Sequence, residues 1–156
     1  MTGLVLMIDE DAANQVDWSS SGFSKKPEDI VTAAHTLVAA EFGTSAEVAV
    51  LLTSDVHIQK LNGDFRNKDK ATNVLSFPDE DESRLGDIAI AFGTIVGEAK
   101  QANLLLDDHL SHMVVHGMLH LLGYDHENDE EAEEMEALEI DLLARLNINN
   151  PYTVNL

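Results

Sequence analysis

The 156-residue chain contains no cysteine. That excludes a disulfide framework and any thiolate metal site, and it fits a reducing compartment. Basic residues are scarce: nine Lys and Arg stand against 29 Asp and Glu, a formal net charge of −20. As a global footprint this argues against a nucleic-acid binder. No apolar run approaches the roughly 18 residues of a membrane span. The N-terminus lacks a basic segment followed by an apolar one, so no signal peptide is expected and the cytoplasm is the expected location. Internal repeats, linkers and low-complexity segments are missing too. The length prior therefore predicts one domain over residues 1–156, long enough for a proper core.

What the chain does have is histidine in a pattern. Residues 116 to 126 read H-G-M-L-H-L-L-G-Y-D-H. On an α-helix, His116 and His120 share one face, one turn and roughly 6 Å apart along the axis. Two imidazoles so placed lean onto one ion, each nitrogen about 2.0–2.1 Å from it. Gly123 stands where the helix should stop, since the residue after a helix often takes the left-handed conformation. The chain then reverses, and His126 returns to the same ion. Three imidazoles with a vacant fourth position describe a catalytic zinc site, because structural sites are usually closed by four protein ligands.

His109, His112, His116 and His120 fall within a stripe about 80° wide at the helical period. Apolar residues cover most of the rest, so the helix is predicted to be buried, with its polar stripe facing a cleft or an ion. His112 to His120 spans about two turns, or roughly 12 Å, too far for one metal. His112 is therefore read as substrate-facing or as a support for the ligands, and His109 as surface or support. The same histidine offsets occur in H-E-x-x-H-x-x-G-x-x-H metal peptidases, where the Glu activates the zinc-bound water. Here Gly117 stands at that position. The scaffold matches and the peptide chemistry does not.

Hydrophobic spacing and breakers place the other elements. Strands are expected at Leu4 to Ile8, Glu47 to Leu52, Asn73 to Phe77 (stopped by Pro78) and Gly86 to Phe92. Helices are expected from Pro27 to Gly43 and from Ser54 or Asp55 to about Gly63. Three more follow at Thr94 to about Asn103, Asp107 to Leu122 and Asp129 to Leu146. Phe65 to Thr72 reads as a charged loop and Asp79 to Arg84 as an acidic turn. The fold class is α+β: one layered domain, about four strands in a mixed sheet packed with helices, the metal-binding helix buried at its centre.

Charge is unevenly distributed. Lys60, Arg66, Lys68, Lys70 and Arg84 supply five of the nine basic residues within about 25 positions, whereas nine carboxylates and one base, Arg145, follow His126. The basic stretch reads L-N-G-D-F-R-N-K-D-K-A-T-N-V-L-S-F-P at residues 61 to 78, followed by L-G-D-I at 85 to 88. Together with the histidine segment, these stretches resemble the YbeY family of bacterial rRNA maturation factors. The resemblance runs from about residue 50 to 145 and includes E-A-E-E-M-E-A-L-E at 131 to 139. One departure is Ala71, where the family usually has Pro before the Thr.

The resemblance implies a metal-dependent, single-strand-specific endoribonuclease acting in 16S rRNA 3′-end maturation and ribosome quality control. It implies RNA and the ribosome or its subunit as partners, zinc held by His116, His120 and His126, and a functional Arg66 near the metal. Arg66 is suited to pair bidentately with a phosphate, and Lys68 and Lys70 to track neighbouring ones. Asp125 and Asp87 are lesser candidates, for shaping the turn and for holding Arg66 or a histidine. Two other readings share the scaffold. One is a zinc-dependent hydrolase of peptide or amide bonds using another carboxylate such as Glu139; the other is a non-catalytic ribosome assembly factor with structural zinc.

Overall fold

The computed structural model describes residues 3–9, 18, 22–66 and 72–153, the side chains of Phe65 and Arg66 excepted. Its elements run β1 (Leu4–Ile8), α1 (Pro27–Glu41), β2 (Glu47–Thr53), α2 (Asp55–Arg66), β3 (Val74–Pro78), β4 (Arg84–Ala91), α3 (Phe92–Gln101), α4 (Leu106–Leu121) and α5 (Asp129–Arg145). The strands form one mixed sheet in the order β1-β2-β4-β3. β1 and β2 pair in parallel through the α1 crossover, β2 and β4 pair in parallel, and β3 runs antiparallel to β4. The α+β class, the mixed four-stranded sheet and the central helix all agree with the sequence reading.

Strand composition follows burial. β2 reads E-V-A-V-L-L-T and is covered on both faces, hence its nearly continuous apolar run. β1 is an edge strand and alternates, leaving Val5 and Met7 exposed. On β4, Ile88 and Ile90 point into the main core with residues of α1, α4 and α5, whereas Ala89 and Ala91 join Ile58 and Leu75 on the α2 side. The sheet thus separates α2 from α4. Within α4, Leu110, Val114, Val115, Met118 and Leu119 are fully buried. Each such Leu, Val or Met contributes about 1.5–3 kcal/mol, so the helix is fixed from several sides. Among the described residues no helix is long and apolar enough to cross a membrane.

Several boundaries differ from expectation, three of them for a clear physical reason. α2 does not stop at Gly63 but continues to Arg66. Its buried face carries Ile58 and Asn62, and that packing outweighs the roughly 1 kcal/mol cost of one glycine. Ser54 begins this helix, its Oγ accepting from the His57 N–H at 3.2 Å. Pro78 belongs to β3, paired with Gly86 at the strand's end. Proline is tolerated there because β3 is an edge strand. Phe92 opens α3 instead of closing β4. The Asp55 carboxylate accepts from the Thr94 N–H at 3.0 Å, anchoring α2 to the start of α3.

Candidate metal centre

The buried helix α4 brings His116 and His120 together with their Nε2 atoms 3.1 Å apart. Leu122 caps the helix and Gly123 follows at φ +103°, a region open to glycine and strained for other residues. The Gly123 N–H donates to the His120 carbonyl at 3.0 Å, and the Tyr124 N–H donates to that of Leu119 at 3.0 Å. These two bonds make a Schellman motif. It turns the chain so that the His126 ring lies 5.8 Å from His116 and 5.1 Å from His120, centre to centre. One ligand atom from each of the three imidazoles lies within 4.8 Å of the others. The His126 N–H donates to the Asp125 carboxylate at 2.8 Å, so Asp125 shapes the turn locally.

The protons on these rings test whether a cation fits. His120 Nδ1 faces the Tyr124 carbonyl at 3.0 Å, and His116 Nδ1 faces the Glu139 carboxylate at 3.4 Å. Carbonyl and carboxylate oxygens only accept, so both Nδ1 atoms carry hydrogen. In neutral rings both Nε2 atoms then present lone pairs to each other at 3.1 Å. That arrangement is repulsive unless a cation lies between them. Protonation is a poor remedy, since burial and then the neighbouring His116 and His126 push His120 below the usual imidazole pKa. A neutral three-nitrogen donor set of this kind suits a divalent metal.

Behind His116 stands a second group of polar residues. Glu139 of α5 is 1% exposed. Its Oε1 meets His112 Nε2 in a short contact, accepts from the Tyr152 hydroxyl at 2.8 Å, and faces His116 Nδ1. Burial pushes this carboxyl up, but hydrogen bonds from His112 and His116 outweigh burial and hold it down, at about 2. Burial, followed by the charge of Glu139, pushes the Tyr152 phenol far up and keeps it a donor. No sequence pattern in the histidine segment points to Glu139. The available signal lies in α5, where Glu139 interrupts the apolar spacing of Met135, Leu138, Leu142 and Leu146.

In front of the histidines lies a groove of about 770 Å³, bounded by β3, the end of α4 and the turn after it. His116, His120 and His126 line it together with Asn62, Asn73 and Ser76. His112 does not. It lines a smaller cavity beside His109, Asn103 and Ile148, meets His116 edge to face at 6.3 Å between ring centres, and shares Glu139 with it. His109 is buried too, its Nε2 2.9 Å from Glu98, which also holds Asn73. Arg66 ends α2, but its side chain lies outside the described residues, as do Lys68 and Lys70 entirely. Arg84 is bound to Asp79 at 2.7 Å and to Asp87 at 2.8 Å, so Asp87 serves this arginine at the β3–β4 turn. Gly117 packs against the sheet: a Cβ there would meet Ile88 Cδ1 and Cγ2 at 3.0 Å.

The fold and the three-imidazole cluster define an α+β protein with a groove-lining set of histidines able to hold a metal ion. The family model described as Endoribonuclease YbeY matches residues 9–147, and the chain belongs to that family. A protein named Endoribonuclease YbeY from a Bradyrhizobium species is 53% identical over 132 residues, 78% of this chain and 78% of its own length. Another of that name, from Rhodopseudomonas palustris, is 56% identical over 115 residues, 69% of this chain and 60% of its own length. The fold is also that of a Thermotoga maritima protein solved in solution, at TM-score 0.59 and 25% identity, covering 92% of this chain and 91% of the other.

Proposed function

We propose that this chain is a zinc-dependent, single-strand-specific endoribonuclease of the cytoplasm. Its substrate is the 3′ region of 16S rRNA, which it meets on the ribosome or its subunit during maturation and quality control. Membership of the endoribonuclease family supports the reaction class, hydrolysis of phosphodiester bonds in RNA. The observation that carries the metal dependence is the approach of His116 Nε2 and His120 Nε2 to 3.1 Å beside the groove, with both Nδ1 atoms turned to oxygen acceptors.

His116, His120 and His126 would hold the ion, which supplies Lewis acidity toward a phosphate oxygen and lowers the pKa of a bound water. The chain's own residues do the rest. The groove positions an extended strand against β3, with Asn73 and Ser76 beside the histidines. Arg66 grips the reacting phosphate as a planar fork, and Lys68 and Lys70 follow the neighbouring phosphates. This local basic stretch attracts an anionic strand in spite of the chain's net charge. The nucleophile is water or the substrate's own 2′-hydroxyl. The 2′-hydroxyl leaves a 2′,3′-cyclic phosphate, and water leaves a linear one.

A peptidase reading would need a carboxylate beside the ion. Gly117 provides none, Glu139 stands behind His116 outside the groove, and the Asp125 carboxylate, which does line it, is engaged by the His126 N–H at 2.8 Å. A structural-zinc reading would need a fourth protein ligand. Among the described residues the His, Cys, Asp and Glu cluster has only His116, His120 and His126.

The test offers labelled single-stranded RNA, duplex RNA and casein in parallel to the purified protein, with zinc and with chelator. Zinc-dependent cleavage of the single strand alone is expected, with the product ends identifying the nucleophile. Casein cleavage, or RNA cleavage that survives complete metal removal, would overturn the proposal.

A further inference from the structure

We infer that Glu139 is a positioning residue for His116: it fixes which ring nitrogen carries hydrogen and turns the other toward the metal. The inference rests on His116 being a metal ligand and concerns what makes it one. A carboxylate 1% exposed on an otherwise apolar helix stripe is costly to bury unless its partners compensate. Glu139 has three, and all of them meet the same oxygen. His112 and the Tyr152 hydroxyl come from the side remote from the groove, and His116 Nδ1 from the groove side at 3.4 Å.

The arrangement is directional. Tyr152 donates its hydroxyl hydrogen to Oε1 at 2.8 Å. His112 Nε2 also points at that oxygen, so its hydrogen sits on Nε2, and its buried Nδ1 has no partner among the described residues. Both residues brace the carboxylate from behind, leaving it aimed at His116. A carboxylate can only accept, so it holds His116 in the Nδ1–H tautomer and its Nε2 lone pair faces His120 Nε2 at 3.1 Å. His120 obtains the same tautomer from a different source, the Tyr124 carbonyl. The two helical imidazoles are thus oriented independently, one by the turn after α4 and the other by α5. A carboxylate behind a ligating imidazole also raises its basicity as a ligand.

The decisive variant is Glu139→Gln, which keeps size and shape. Its amide can present an N–H to His116 Nδ1 and so favour the Nε2–H tautomer, which cannot ligate through Nε2. Zinc affinity is measured by chelator competition at pH 7.5, and the His116 tautomer in zinc-free protein by side-chain nitrogen NMR. Wild type should take up about one zinc and show the Nδ1–H form. Glu139→Gln should bind about 10–100-fold more weakly and show a mixed tautomer. Tyr152→Phe should shift affinity and tautomer in the same direction by less, and it carries the test if the Gln variant does not fold. Zinc affinity within about threefold of wild type with an unchanged tautomer, in the folded variant used, would reduce Glu139 to a packing residue whatever the melting temperature. A wild type that binds no zinc would overturn the metal reading itself, and this inference with it.

Discussion

The Nδ1 atom of His120 lies 3.0 Å from the carbonyl oxygen of Tyr124, the third residue beyond the helix that carries His120. The turn that ends α4 therefore also orients the last histidine on it. This turn depends on Gly123 at φ +103°. Gly123→Ala leaves open space around the new methyl group but forces a strained backbone, costing about 1–2 kcal/mol. We expect zinc-free Gly123→Ala to melt a few degrees lower, and its zinc affinity to fall as Tyr124 loses its grip on His120. Calorimetry with and without zinc checks both.

Metal content provides the next test. About one divalent ion per chain is expected, with His120→Ala losing most of the affinity and a His116/His120 double variant binding none. His112→Ala should keep the one-ion stoichiometry, because His112 does not line the groove. Binding should stabilise the fold by up to about 2.7 kcal/mol at 100 times Kd. Identical melting curves with zinc and with chelator at pH 7.5 would contradict this.

Gly117 marks where peptidase chemistry is sterically closed. Any side chain there presses on Ile88, which lies on β4 beneath α4. Gly117→Glu is expected to lose about 1–3 kcal/mol through overpacking. It should gain no activity on casein, since the new carboxylate points at the sheet. A denaturant midpoint and a protease assay read the two outcomes.

Stability of the zinc-free protein should fall with acid in two stages. Burial lowers the imidazole pKa of His35, His109 and His120. Protons then bind the unfolded chain more readily than the folded one, so stability is lost as pH falls through about 6.5. The second stage belongs to Glu139, held at about 2 against an ordinary 4.5. Its contribution is complete above 4.5 and disappears as pH falls toward 2. Urea midpoints from pH 8 to 3 should decline in this order. Glu139→Gln should remove the lower stage and leave the upper one.

Arg66 has two possible roles with different kinetics. Loss of a peripheral phosphate contact weakens binding and its salt dependence while sparing turnover. Loss of a transition-state contact cuts turnover by roughly 10²–10³. We expect the second for Arg66→Ala, with zinc content unchanged and no rescue by Lys, a point charge without the planar fork. Single-turnover cleavage of a short single-stranded RNA decides. A rate within about threefold of wild type would make Arg66 a binding residue.

The histidine cluster was legible because its logic is local. Helical periodicity pairs His116 with His120, and a glycine at the reversal brings back His126. The strand order was harder, since β4 enters between β2 and β3 and only the packed sheet shows it. α2 passed through Gly63 because its buried face mattered more than one residue's propensity. His112 shares a stripe with the ligands, yet its nearest partner is Glu139, 27 positions away on α5. Sequence spacing identifies neighbours along one helix; which residue of another helix meets them depends on how the two pack.

All three imidazoles of the candidate site lie between residues 116 and 126. Few residues separate them, so closing the chain around an ion requires little loop entropy even before the sheet exists. The denatured chain is therefore expected to retain some affinity for zinc, so that part of the ion's binding energy would already be present when the protein is unfolded. Zinc added to the native protein should raise its melting point less than native affinity alone would give. On that reading, the nascent chain would have an early means of capturing the ion, before α5 arrives to orient His116.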